Sequence, residues 1–476
     1  MTSSAAVGVP FLYLLFGLFV ASALISFLLR SWPRLVALAG SGIAAGAAAW
    51  IGLVDFERPL WVLPTGWTVD LTARLTLSGY TFQLQAGNAP IVGTTLGIAA
   101  LALLLNALIN LDSNFPALAW ILVAGYAGMA LMAAGPTAPP LIAPVLLIIL
   151  TALGVFALQG GRLAPALGPL RTLMPPLLAA PLFLVAAWYV EQIPLNPQDV
   201  AITQIAGTLL GLGLLLLLAP FPLHAATPAT AEVAPPAAML FVTLLYQLAV
   251  LYLAGQLLTT YPFVFSQTDW PIWMGAFGLV TAVWGGLAAI GAVHAGRLWA
   301  YAALHDWGLI ILALSVPGVR SWTLVLFLFA LRAISMFTTG AGLTVLEAHL
   351  GTLDLRRMFG VGSRLPWNSA AFLLGGLGLV GFPLTAGFAG HWAALQSLAE
   401  VDWRPAAVVL AASGGAILGF VRAARIMFGH LENRAVPRER PLSIAMAVLS
   451  LAVMIAVAVA PQILSDFIGR ALAAFG

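Results

Sequence analysis

Runs of roughly 17 to 25 apolar residues, each long enough to cross a bilayer core, follow one another from end to end of this chain. About fourteen can be marked, at 9–29, 35–54, 89–109, 116–134, 139–159, 173–191, 201–219, 233–257, 271–293, 298–315, 321–344, 368–392, 404–428 and 441–463. Lipid offers no partner to a bare backbone, so such runs must be helical. Composition agrees: of 476 residues, 62% are hydrophobic and only 7% charged, against about a quarter charged in a soluble globule. The fold class expected is an all-α polytopic membrane protein. The first run lacks a basic leader and a small-residue cleavage site, so it reads as a retained helix and not a removed signal. Between Phe56 and Asn88, alternating residues flank a Ser-Gly turn, which predicts an extracytoplasmic β-hairpin near 66–85.

Two of the apolar runs are interrupted at membrane depth. The first breaks at Pro220, Pro222, His224 and Pro228, and the second at Gly381-Phe-Pro383-Leu-Thr-Ala-Gly387, shortly before His391. Proline frees backbone carbonyls that lipid cannot satisfy, so each break must be buried in protein or line a wet cavity. Broken helices in separate halves of a chain point to a transport fold built from inverted repeats.

All 19 basic residues are arginine, and the chain contains no lysine. Arg30, Arg34, Arg162, Arg171, Arg356, Arg357, Arg364, Arg434, Arg438 and Arg440 fall in one set of alternate loops, while the other set holds chiefly Arg58, Arg74, Arg320 and Arg404. By the positive-inside bias, both termini are expected on the non-cytoplasmic side of a bacterial inner membrane. Without cysteine the chain offers no thiolate for an iron–sulfur cluster or haem. No nucleic-acid module, phosphate-binding loop or metal-ligand spacing is visible. Gly211 and Gly213 lie within an apolar run, where small residues serve helix packing.

The first break, with Pro222-Leu-His224, Pro228 and Ala234-Pro235, resembles the broken seventh helix of the antiporter-like membrane subunits of respiratory complex I, relatives of Mrp-type antiporters. Arg297-Leu-Trp-Ala-Tyr301 with Gly308, and Gly381-Phe-Pro383-Leu-Thr-Ala-Gly387-Phe-Ala-Gly390, resemble two later family runs, the last closest to subunit N. The likeness covers roughly residues 90–430 and implies two inverted repeats of about five helices each, with helices 7 and 12 broken. On that basis the chain divides into an N-terminal region (1–110), a first repeat (111–260), a second repeat (261–430) and a C-terminal helix and tail (431–476). The resemblance also implies other membrane and peripheral subunits as partners, with lipid around them. FMN, iron–sulfur clusters and quinone would be carried by those partners and none by this chain.

Family members move protons along lysines and glutamates at mid-membrane, where a costly ionisable group can be swung by a neighbouring charge. Here the helix-5 stretch, Leu141–Leu158, has no acid. Seven residues before His224 the helix-7 lysine position is Leu217; twelve after Pro235 the helix-8 position is Gln247; the helix-12 position is His391. Imidazole titrates near neutral pH, so His391 is either a proton carrier or a neutral histidine satisfying a helix break. Gln247 can support a water chain but carries no charge. His224 reads chiefly as a polar group at its break. Arg332 stays charged and is expected to be a fixed countercharge paired with Asp306 or Glu347. His305 and Asp306 are placed near an interface, His294 in solvent, Glu232 at a loop or helix start, and Arg422 and Arg425 at the membrane surface. Two readings stay open: a subunit whose proton path has degenerated into a scaffold and coupling element, or an active proton or cation transporter using His391 and waters. Hydrogenase-linked and bicarbonate-uptake systems borrow the same fold.

Overall fold

The computed structural model describes residues 8–56, 60–62, 68–77, 79–109, 113–132, 141–161, 166–316, 319–430, 438–473 and 475. Arg58, Arg162 and Arg434 lie outside them. The chain opens with α1 (Phe11–Leu28), α2 (Pro33–Gly52), α3 (Ala89–Ile109) and α4 (Phe115–Leu131). Next come α5 (Ala143–Gln159), α6 (Leu167–Arg171), α7 (Met174–Gln192), α8 (Val200–Leu217), α9 (Ala226–Val233) and α10 (Pro236–Thr260). After α11 (Phe263–Ser266) run α12 (Trp270–Ile290), α13 (Ala295–Ala313), α14 (Val319–Leu350) and α15 (Pro366–Gly378). The chain closes with α16 (Gly387–Val401), α17 (Trp403–Met427), α18 (Pro441–Val459) and α19 (Ser465–Leu472).

Proline sits at the first helical positions of α2, α4, α5, α7, α10, α12, α15 and α18. There its missing N–H is not needed and its fixed φ starts the turn. Among the described residues, ten helical stretches are long and apolar enough to cross a membrane, and α4 and α5 are shorter apolar helices. Burial ranks them: α10 has 83% of its window inside the protein, against 33% for α1, α2 and α18. α10 is therefore the central post, and α1, α2 and α18 lie at the rim.

The extended segment is smaller than the sequence suggests. Leu75–Leu77 and Tyr80–Phe82 form the antiparallel hairpin about Gly79, which has φ +84°. Thr68–Asp70 instead joins a three-stranded sheet, parallel to Gly8–Pro10 and antiparallel to Leu60–Val62. The first apolar run accordingly begins as a strand and becomes helical at Phe11.

The first break separates α8 from α9. Ala219 takes φ +47° and the Phe221–Pro222 peptide is cis. The Leu217 carbonyl accepts from the Tyr246 hydroxyl at 2.9 Å and the Leu218 carbonyl from the Trp307 indole N–H at 2.8 Å. The Phe221 N–H donates to Thr281 Oγ1 at 2.9 Å. Trp307 thus stands in for the intrahelical donor that Pro222 lacks, and Tyr246 and Thr281 serve the Leu217 carbonyl and the Phe221 N–H that the break separates. Pro228 does not break the chain; it lies in the first turn of α9, where proline is tolerated.

The second break separates α15 from α16 and is built on close backbone approach. Gly381 has φ +68° and Leu384 φ +66°, and a β-carbon at Gly387 would collide with the Gly378 carbonyl. Glycine also fixes α12 between two partners. A β-carbon at Gly285 would strike the backbone of α13 at His305, and one at Gly286 the Ala412 carbonyl of α17. These contacts bring the middles of α13 and α17 to the same level of α12. Gly211 and Gly213 pack in the same manner, against Trp273 and Phe183.

Candidate functional site

Four helices deliver one hydrogen-bonded chain of polar groups to the interior. Arg332, from the 32-residue α14, donates from Nη1 to Asp306 Oδ2 on α13 at 2.8 Å and from Nε to Gln247 Oε1 on α10 at 2.9 Å. Nη1 also reaches the Ala303 carbonyl at 2.6 Å, and the guanidinium lies 5.5 Å from the Trp307 ring centre. The other Asp306 oxygen, Oδ1, lies 2.9 Å from His391 Nε2 on α16. A carboxylate oxygen can only accept here, so neutral His391 carries its proton on Nε2 and its lone pair on Nδ1. Arg332, Asp306 and His391 are each 3% exposed or less.

Beside this chain stands a second one. His305 Nδ1 donates to the Ala282 carbonyl of α12 at 2.8 Å, and its Nε2 lies 2.9 Å from Ser413 Oγ of α17. Ser413 Oγ is also 3.1 Å from the Val409 carbonyl. When His305 is neutral the hydroxyl donates to it; when His305 is protonated the hydroxyl can turn and donate to Val409. The His305 and His391 rings stack with centres 5.8 Å apart. The arrangement thus sets two imidazoles beside a carboxylate already engaged by an arginine.

Of the residues singled out in the sequence, His391, Asp306, Arg332, Gln247 and His305 meet here. His305 and Asp306 are not interfacial: α13 starts at Ala295, so they lie about 15 Å along it at 1.5 Å per residue. Asp306, rather than Glu347, pairs with Arg332. His224 does not join them; it is buried at the first break, stacked on Phe221 at 5.2 Å and edge-on to Trp284. Leu217 is fully buried and contributes its carbonyl to the break. His294 is half-buried, not solvated, and its backbone forms a bridge with Asp354. Glu232 lies in the last turn of α9, not at a helix start, and meets Arg297 at 3.5 Å. Arg422 donates to the Ala292 carbonyl instead of reaching only for the surface. Sequence reasoning missed Ser413, Trp307, Tyr246 and Thr281. Ser413 had a readable signal, a polar residue amid the small residues Ala411-Ala412 and Gly414-Gly415 of an apolar span.

Residues 187–419 match the family model described as NADH:quinone oxidoreductase/Mrp antiporter, TM. The chain carries a transmembrane domain of the NADH:quinone oxidoreductase/Mrp antiporter family, which spans just under half of its length. Among curated relatives, this antiporter-like chain is 29% identical over 427 residues to formate hydrogenlyase subunit 3 of Escherichia coli, covering 81% of the chain and 64% of the relative. It is 29% identical over 285 residues to NADH-quinone oxidoreductase subunit N 3 of Streptomyces griseus, covering 57% of the chain and 50% of the relative. The chain thus spans between half and two thirds of the length of these two relatives. In fold, the chain is similar to a chain of the membrane-bound sulfane sulfur reductase, an archaeal respiratory membrane complex. The TM-score is 0.77 at 19% identity, covering 97% of each chain.

Proposed function

We propose that the antiporter-like subunit belongs to the membrane arm of a redox-driven, proton-translocating assembly of the complex I or hydrogenase kind, and that it handles protons at Asp306–His391. The observation that carries this reading is a buried carboxylate held on one oxygen by an imidazole and on the other by a guanidinium. Of the three family relay positions, Leu217 and Gln247 carry no ionisable group, whereas His391 carries an imidazole. The first repeat has lost its relay on this reading, and the second keeps an altered one. Arg332 acts as the fixed countercharge, because guanidinium does not deprotonate at working pH. It ties α14 to α13 and α10, so a change of charge on His391 is felt across all four helices that supply the site. Electron transfer, with flavin, iron–sulfur clusters and quinone, falls to partner subunits. The arginine distribution supports a bacterial inner membrane with both termini on the non-cytoplasmic side.

The test is proton pumping per electron turnover in the purified assembly carrying His391→Gln. Glutamine can still donate to Asp306 Oδ1 but cannot titrate. The ratio is expected to fall while assembly and electron transfer persist. An unchanged ratio in the intact assembly would leave the chain a scaffold.

A further inference from the structure

A cavity next to the site plays no part in the proton binding just described. It lies between α5, the start of α7, the break after α8, α9, α10 and α13, is partly open, and has room for about 80 Å³ of water; a water needs roughly 10–15 Å³, so several fit. The wall is mostly apolar but carries the hydroxyls of Thr151, Thr243 and Tyr246, and it also includes Gln247 and Arg332. Thr151 Oγ1 is buried without a hydrogen-bond partner among the described residues, a group that internal water serves. Asp306 and His391 are absent from the wall. The cavity therefore meets the buried chain at its cationic member, with the carboxylate and imidazole behind.

We infer that Arg332 is a cationic stopper, closing a hydrated vestibule in the first repeat against protons. Waters and hydroxyls can pass protons along hydrogen bonds without any ionisable side chain, so a vestibule reaching Asp306 would be a leak. A fixed arginine in a low-dielectric passage raises the energy of an arriving proton and cannot relay it. Gln247 holds the stopper in place through its bond to Nε. This rests on the proton-site reading only for where a leak would drain; the barrier itself depends on Arg332 and the cavity.

The sample is the whole assembly in vesicles, with an imposed pH gradient and no electron donor. Arg332→Gln is expected to raise passive proton flux on the order of tenfold or more, and Arg332→Lys to keep the membrane tight. Because Arg332→Gln leaves Asp306 without its cation, the double variant D306N/R332Q removes both charges; it is expected to assemble and to leak. Assembled charge-free variants as tight as the wild type would overturn the inference. Thr243→Leu added to a leaky variant should suppress the flux, and a leak that persists would show that it bypasses the cavity. Hydroxyl-radical labelling of the wild type should modify Tyr246 and Met239 on the cavity wall; unlabelled side chains would mean a dry cavity and also overturn it. Failure of the His391→Gln pumping test would leave these flux results unaffected, so the two ideas fall separately.

Discussion

Asp306 is the residue on which the others depend, and its two oxygens are committed to different helices. Removing one partner of a buried ion pair costs about 3–5 kcal/mol, whereas removing both charges can be nearly neutral. Arg332→Leu is therefore expected to destabilise the detergent-solubilised protein by about that amount in thermal or denaturant unfolding, and D306N/R332Q to recover most of it. Equal losses for the single and double variants would argue against the pair. Gly381 is the second residue with a sharp expectation. A β-carbon there would sit 2.5 Å from His391 Cβ and 2.8 Å from Nδ1, at a position with φ +68°. Gly381→Ala should displace the imidazole from Asp306 and reduce pumping as His391→Gln does, a match that flux assays of the two variants would check. Much of this is legible in the chain: Arg332 in an apolar run requires a buried acid, and Asp306 and Glu347 are acidic candidates for it in that half. The depth of Asp306 is not, because the position of a residue within a span depends on where the helix begins.

At the scale of elements, the breaks were readable from proline and glycine, but not what satisfies them. Tyr246, Trp307 and Thr281 come from α10, α13 and α12, and no local pattern pairs them with backbone groups 29 to 89 residues away. Trp307→Phe keeps an aromatic side chain but deletes the indole donor and part of the ring, so it should cost at least about 1–3 kcal/mol in unfolding for the orphaned Leu218 carbonyl and the space left behind. Ala219, at φ +47°, offers the opposite case. A left-handed conformation costs a non-glycine residue about 1–2 kcal/mol, partly offset by the entropy that glycine adds to the unfolded state. Ala219→Gly should leave stability unchanged or raise it by up to ~1 kcal/mol, and a clear loss would contradict the strain. Ser413 joined His305 only because glycines let α12 touch both α13 and α17. Glycine spacing within a span foretells close packing but does not name the neighbour.

For the whole molecule, the formal charges buried among the described residues, Asp306 and Arg332, both lie within 261–430. Leu217 and Gln247, where the family resemblance places lysines in the first half, carry no ionisable group, which agrees with that asymmetry. Membership of an assembly is tested by gentle purification and mass spectrometry. Recovery with redox subunits and sibling antiporter-like chains is expected, and recovery alone would favour an independent transporter. The shared carboxylate also decides which ions the site can attract. With Arg332 permanently positive, Asp306 negative and His391 neutral or protonated, the cluster's net charge is zero or one positive. It never presents the unpaired anion that a sodium ion would need to shed its hydration, so turnover-linked pumping should be the same with sodium or potassium as the salt.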